Sequence, residues 1–367
     1  MRRFCVCLLL LCGWICRPLL AAASPALSVS AEHAALYEPE NGIFLYEKDA
    51  ATRAPMASTT KIMTAVVVVE NMPLYEEFVI PPEACGIEGS SIYLQPGEVL
   101  TIEQLLYAMM LNSANDAAAA LAIATAGSIE AFAEMMNECA GHMGLQNTHF
   151  TNPHGLDHPE HYTTARDLAV IGAHALASDP LATIVATQKK TVPLGNGKGC
   201  RVLYNHNKLL RLYDDAVGIK TGFTRKSGRC LVGAARRDGV TLVSVTLNAG
   251  DDWNDHIRMF EAGFASVHRR LLAAEGELSY RVPVINGKQS SVVCTNNEDV
   301  YAILPSDKGQ VDMTVHINRF VPAPIKKGEV LGTVYFSYQG RVIASASLVA
   351  SEGVEEIRYK KPFFRKD

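Results

Sequence analysis

The chain has 367 residues, with 34 Lys and Arg against 38 Asp and Glu, a formal net charge of -4, and 48% hydrophobic residues. That length favours two domains, and the balance describes a globular chain with a sizeable core. It excludes a disordered chain, and nucleic acid is not expected as a partner because no basic stripe interleaves with aromatics.

The N-terminus MRRFCVCLLLLCGWICRPLLAAAS has the layout of a secretory leader. Arg2 and Arg3 precede an apolar run too short for a comfortable membrane span, and Ala21-Ala22-Ala23 supplies small residues for cleavage. The expectation is a signal peptide over 1–23 and an exported, extracytoplasmic protein at the cell wall or outer face of the cytoplasmic membrane. Four of the nine cysteines fall in that leader, and the other five are Cys85, Cys139, Cys200, Cys230 and Cys294. They form no CxxC and no zinc-spaced cluster, and a Cys200–Cys230 disulfide stays open because spacing does not argue for it.

HAALYEPENGIFLYEKDA reads as two short strands around the turn signal Glu40-Asn41-Gly42. The apolar run Ile62 to Val69 reads as a buried helix, with a strand as the alternative for its four valines. Thr101 and Gln104 form a capping box ahead of a helix, and an alanine-rich helix follows. SIEAFAEMMNECAGHMGL and TTARDLAVIGAHALA are two more amphipathic helices. From Val217 the runs become short and β-rich, with a turn at Arg237-Asp238-Gly239, before WNDHIRMFEAGFASVHRRLL returns to helix. A helical block between strands from both ends predicts an α+β domain over 24–274, an antiparallel sheet flanked by helices. Beyond about Glu275 only strand-like runs occur, which predicts a small all-β sandwich over 275–367.

Three short motifs carry chemistry. In PMASTTKIMTAVVVVE, Ser58 and Lys61 sit three apart and share a helix face, so the hydroxyl and amine can meet. A lysine partly desolvated at such a helix has a lowered pKa and can act as a neutral base. About one S-x-x-K occurs by chance in a chain this long, so the pair alone decides nothing. Ser113-Ala114-Asn115 can present a hydroxyl and a carboxamide from a loop, or Asn115 or Asp116 can cap the alanine-rich helix. Lys220-Thr221-Gly222 is rarer; a strand glycine lets another backbone approach, and lysine with threonine can grip a carboxylate. Its alternative is an edge-strand lysine in solvent. His154, His158 and His161 cluster, but no acid or cysteine completes a ligand set, and no metal or other cofactor is expected.

Taken in order, S-x-x-K, S-x-N and K-T-G resemble the penicillin-binding and serine β-lactamase superfamily. YEPENGIFLYEKDAATRAPMASTTKIMTA, GSSIYLQPGEVLTIEQLLYAMMLNSANDAA and GIKTGFTRKSGRCLVGAA resemble more closely its low-molecular-mass serine D-alanyl-D-alanine carboxypeptidases, and the β tail resembles that family's C-terminal domain. The resemblance implies a β-lactamase/transpeptidase-like fold and the removal of terminal D-alanine from peptidoglycan pentapeptide stems through an acyl-enzyme. It implies Ser58 as nucleophile, Lys61 as its base and Ser113 as proton relay. Asn115 lines the cleft, Lys220 and Thr221 hold the substrate's terminal carboxylate with Gly222 and Phe223 beside them, and the N–H groups of Ser58 and Phe223 form the oxyanion hole. Phe223 stands where relatives commonly carry polar residues or histidine, and His206 stands where a cation such as arginine is expected.

The implied partners are a stem peptide ending in D-Ala-D-Ala and β-lactam antibiotics. The basic-aromatic tail IRYKKPFFRKD permits peripheral membrane contact, though Pro362 interrupts it. Two alternatives stand beside this reading. A class A β-lactamase would supply a deacylating Glu in an E-x-x-L-N segment, which the sequence lacks. An inert wall-binding protein would have no need to keep Ser58, Lys61, Ser113, Asn115 and Lys220 together.

Overall fold

The computed structural model describes residues 27–195, 197, 199–306 and 309–358. The expected leader over 1–23 and the basic-aromatic tail from Tyr359 onward lie outside the described residues.

Strand β1 (His33–Glu38) turns into β2 (Ile43–Lys48) through Gly42, whose φ of 67° suits glycine. A single 3-10 turn, Ala57–Thr60, then runs straight into α1 (Lys61–Asn71). Every α1 side chain from Lys61 to Val68 is buried, so the valine run is helical because tertiary packing surrounds it. The short strands β3 (Glu77–Val79) and β4 (Val99–Thr101) pair before α2 (Ile102–Leu111), which opens on the capping box of Thr101 and Gln104. Helices α3 (Asn115–Ala126), α4 (Ile129–His142), α5 (Ala165–Ala177) and α6 (Asp179–Ala186) complete the block.

A hairpin of β5 (Lys189–Pro193) and β6 (Cys200–Tyr204), then the short α7 (Leu209–Leu212), lead back to the main sheet. There β7 (Ala216–Thr224), β8 (Gly228–Arg237) and β9 (Val240–Leu247) form an antiparallel meander. The sheet order is β2-β1-β9-β8-β7, so the first and last strands of the unit lie side by side and β7 is an edge. Helix α8 (Asp252–Ser266) covers one face. Alternation along β8 shows the two-sided burial: Val232 and Ala234 join the core with α1 and α5, whereas Leu231 and Ala235 join Met259 and Phe260 of α8.

The remaining strands are β10 (Val267–Ala273), β11 (Ser279–Ile285), β12 (Ser291–Thr295), β13 (Val300–Pro305), β14 (Val311–Ile317), β15 (Val321–Pro322), β16 (Val330–Tyr338) and β17 (Arg341–Ala350). Six of them form one sheet in the order β14-β16-β17-β12-β11-β15, and β10 pairs with β13. Val282, Val292, Val334 and Leu348 belong to a hydrophobic core separate from those of the first unit.

One expectation changes and two open alternatives close. The helix read through VHRRLL stops at Ser266, because Val267–Ala273 finds a ladder partner in β13 and pairing outweighs local helix propensity. Cys200 and Cys230 are both free thiols, the first exposed on β6 and the second buried in β8. Neither Asn115 nor Asp116 caps α3. Its N-cap is Ala114, and the buried Asp116 carboxylate accepts from Leu94 N at 3.0 Å and Ser91 Oγ at 2.6 Å, tying down the 91–94 loop.

Candidate active site

Ser58 and Lys61 meet because a 3-10 turn passes directly into α1, keeping residues three apart on one side. Lys61 Nζ lies 3.0 Å from Ser58 Oγ. The same nitrogen is 2.7 Å from Asn115 Oδ1 and 2.6 Å from the His154 carbonyl oxygen. The Asn115 amide is oriented by its Nδ2, which donates to the Glu88 carbonyl, so Oδ1 must face the lysine. Lys61 is fully buried. Burial, then the positive charge of Lys220, hold its pKa well below the usual lysine range, with Asp116 opposing. A neutral amine has two N–H donors and one lone pair. In that form the two carbonyl oxygens, which can only accept, would take both donors and the lone pair would face the Ser58 hydroxyl.

The turn that carries Ser58 is held by close backbone packing. Ala57 has a φ of 48°, a left-handed conformation uncommon for alanine. Gly155 lies so near that a Cβ there would come within 1.9 Å of the Ala57 carbonyl oxygen. Gly222 of β7 approaches from the other side, where a Cβ would lie 2.9 Å from Ser58 N. The third motif therefore touches the first through backbone, as a strand glycine allows.

Ser58, Ser113, Thr221, Gly222 and Phe223 line one cavity of about 500 Å³. Ser113 sits on its wall with a φ of 60°, a strained conformation of the kind found at functional loops. Lys61 and Asn115 stand behind Ser58, linked to it by hydrogen bonds. Lys220 is buried, not the solvent-facing edge lysine of the alternative reading, and its Nζ donates to the Thr221 carbonyl at 3.0 Å. Burial pulls its pKa down to about 7. Phe223 is 67% exposed at the cavity rim.

The three histidines of the 154–161 loop act as packing and hydrogen-bonding groups. Thr60 Oγ1 and Thr151 N contact the two ring nitrogens of His161, at 2.8 and 3.0 Å, which pins the loop against the Ser58 turn. Burial pulls both His154 and His161 down to about 3, so both are neutral near pH 7.

Sequence reading did not single out the His154 carbonyl, nor Ser90, Arg229, Asp252 and Trp253 on the cavity wall, and it weighed Cys230 only for a disulfide. Hairpin arithmetic was the available signal for two of them, since the β7–β8 turn sets Phe223 opposite Arg229 and Gly222 opposite Cys230. Asp252 and Trp253 arrive through tertiary packing of α8, for which no local signal exists.

Residues 20–251 match the family described as D-alanyl-D-alanine carboxypeptidase. The chain belongs to that family. It is thus a serine peptidase, a hydrolase that acts as a D-alanyl-D-alanine carboxypeptidase. Residues 269–356 match the penicillin-binding protein 5 C-terminal domain. The carboxypeptidase is 29% identical over 340 residues to D-alanyl-D-alanine carboxypeptidase DacF of Bacillus subtilis, covering 90% of this chain and 87% of that one. It is 30% identical over 348 residues to DacA of Escherichia coli, covering 89% and 84%. Among solved structures it resembles penicillin binding protein 5 of Haemophilus influenzae, 29% identical with a TM-score of 0.69, covering 91% of this chain and 100% of that one. It also resembles a peptidoglycan synthesis regulatory factor (PBP3) of Streptococcus pneumoniae, 26% identical with a TM-score of 0.75, covering 89% and 100%. The mixed architecture read from the sequence, a helix-flanked antiparallel sheet followed by a β-rich unit, is that of these relatives.

Proposed function

We propose that this carboxypeptidase is acylated on Ser58 with Lys61 as general base. The supporting observation is the Lys61 amine, whose N–H groups face two carbonyl oxygens while Ser58 Oγ lies 3.0 Å away. Ser58 Oγ attacks the carbonyl carbon of the penultimate D-alanine and Lys61 takes its proton. The oxyanion is received by the N–H groups of Ser58 and Phe223; in support, Gly222, the residue before Phe223, packs so close that a Cβ there would lie 2.9 Å from Ser58 N. Collapse breaks the peptide C–N bond, and the leaving D-alanine nitrogen takes a proton through Ser113. Water then hydrolyses the ester and restores Ser58. Asn115 holds Lys61 and lines the cleft, and Lys220, Thr221 and Gly222 form the wall that receives the substrate end.

The substrate in this reading is a peptidoglycan pentapeptide stem ending in D-Ala-D-Ala, with β-lactams acylating the same serine. The enzyme works outside the cytoplasm after a leader over 1–23 is removed, with a peptidase domain over 24–274, a β domain over 275–367 and a tail that touches the membrane surface.

The test is fluorescent penicillin labelling beside D-alanine release from a defined pentapeptide. Wild type labels and releases D-alanine, whereas Ser58→Ala does neither. A Ser58→Ala protein that still labels would overturn the assignment.

A further inference from the structure

The six-stranded sheet of the β-rich unit ends at β15 on one side and at β14 on the other, and the two edges are built differently. Strand β15 is two residues long and one of them is Pro322, so that edge offers little to a passing strand. Strand β14, VDMTVHI, is seven residues long and contains no proline, lysine or glycine. Its ladder with β16 runs from Val311 opposite Tyr338 to Ile317 opposite Gly332 without a bulge. Among the described residues no strand pairs with its outer side. A long, regular edge of this kind is a template for another strand.

The two faces of β14 show which strand would suit it. Val311, Val315 and Ile317 pack on the core of the unit, so the odd-numbered residues face inward. Met313 belongs to the same face but is 50% exposed, at the rim where the sheet stops. Asp312, Thr314 and His316 are exposed on the opposite face, where His316 meets Tyr335 in a T-shaped contact. Among the described residues the Asp312 carboxylate takes one long contact, 3.5 Å from Gln310 Nε2, and forms no ion pair.

This strand is complementary to itself. An antiparallel copy centred on Thr314 sets Val311 opposite Ile317, Met313 opposite Val315 and Asp312 opposite His316. Each inward apolar side chain then meets an apolar partner, and the half-exposed Met313 is covered. The acid of each copy faces the imidazole of the other, at two symmetric places. Moving the centre by one residue puts Asp312 opposite Thr314 or Asn318 and loses both of those pairs.

We propose that two copies of this carboxypeptidase associate through β14, antiparallel and centred on Thr314, joining their C-terminal sheets into one. The β-rich unit is then a dimerisation module that carries two peptidase domains in one assembly. This does not depend on the roles given to Ser58 and Lys61.

Sedimentation velocity of the purified enzyme, with its C-terminal tail retained, tests the proposal. Wild type is expected to pass from monomer to dimer with a Kd of about 10 µM, in keeping with a small interface. His316→Asp sets two acids opposite each other, and Asp312→Lys sets a lysine opposite the imidazole. Each single change is expected to weaken the dimer about 10-fold or more, because both symmetric pairs are lost. The double variant Asp312→Lys/His316→Asp restores the wild-type Kd, since each lysine now faces an aspartate of the other copy. D-alanine release stays at the wild-type level in all three variants, which shows that the peptidase is intact. A wild type that remains monomeric to about 100 µM, ten times the expected Kd, overturns the proposal. So does a dimer that survives the single changes, or a double variant that does not recover.

Discussion

Lys61 Nζ stands 3.0 Å from Ser58 Oγ while two carbonyl oxygens, from Asn115 and His154, occupy its other directions. An ammonium would donate to all three oxygens, whereas a neutral amine would donate to the two carbonyls and turn its lone pair to the hydroxyl; burial lowers the lysine pKa and so favours the second form. Lys61→Ala is therefore expected to lower the acylation rate by a benzyl-type penicillin by about 10³-fold, within the usual range for a general base. Lys61→Arg is expected to do no better, because a guanidinium stays charged and cannot accept the proton. Stopped-flow acylation measures both. An arginine variant with near-wild-type acylation would contradict the base assignment.

A second consequence follows from the charge of Lys220. Burial is the main reason the Lys61 pKa is lowered, and Lys220 is the next cause. Lys220 is itself pulled down to about 7, so its charge acts on Lys61 mainly below that pH. Removing a positive neighbour stabilises protonated Lys61 and raises its pKa. In Lys220→Gln the acid limb of the acylation pH profile should move to higher pH, along with any loss of substrate binding. A limb that stays in place, or moves to lower pH, would exclude this coupling.

How much of this was legible beforehand differs by residue. Ser58 and Lys61 were readable because helical spacing sets neighbours three apart. Lys220 to Gly222 were readable because a strand glycine next to a lysine and threonine is uncommon. The turn at Gly42 and the capping box at Thr101 and Gln104 were local signals that the structure follows. The strand at Val267–Ala273 was not readable, since its partner β13 lies more than 25 residues further along. The full burial of Lys61, the destination of the Asp116 carboxylate and the meeting of Arg229 with Asp252 depend on elements packed from elsewhere in the chain. No local pattern encodes them.

Gly155 supplies a steric test of the Ser58 turn. It has a φ of 88°, and a Cβ there would lie 1.9 Å from the Ala57 carbonyl oxygen, which is backbone and cannot swing away. Gly155→Ala should cost about 1–3 kcal/mol for the backbone conformation, with further loss from the clash. Because the displaced atom adjoins Ser58, acylation should fall more than stability alone accounts for. Gly144→Ala is the control, since Gly144 also has positive φ, 74°, with nothing within 4 Å of an added Cβ. Urea unfolding and penicillin acylation of both variants check this. Equal acylation by the two would remove any special role for the Gly155 contact.

Asp116 tests the loop in front of the cavity. Its buried carboxylate accepts from Leu94 N, Ile92 N and Ser91 Oγ at 3.0, 3.3 and 2.6 Å. Asp116→Ala leaves those donors without their acceptor, a loss of about 3 kcal/mol. The nearby Ser90 lines the cavity, so substrate affinity should weaken as well. Asp116→Asn keeps the shape and one acceptor oxygen, and should fall between wild type and alanine. Urea midpoints that rank the three proteins differently would show that the carboxylate does not anchor the loop.

The last prediction concerns acid stability and His256. This residue is fully buried under the central sheet, with Ser244 Oγ 2.6 Å from Nδ1 and Thr246 Oγ1 3.0 Å from Nε2. Burial pulls its pKa down to about 3, against the opposing charge of Asp255. The unfolded chain has an ordinary histidine near 6.5. Between those values the unfolded state binds a proton that the folded state does not, so stability is greatest above about pH 6.5 and declines as pH falls towards 3. His154 and His161, also pulled down to about 3, act in the same direction over the same window. His256→Gln keeps a polar side chain between Ser244 and Thr246 but removes the titration. Its stability at pH 7 should be lower than wild type, while the slope of stability against pH between 6 and 4 should flatten by about one proton. Urea unfolding at several pH values in that interval measures the slope directly. A variant with the wild-type slope would show that His256 does not contribute to the acid sensitivity of the fold.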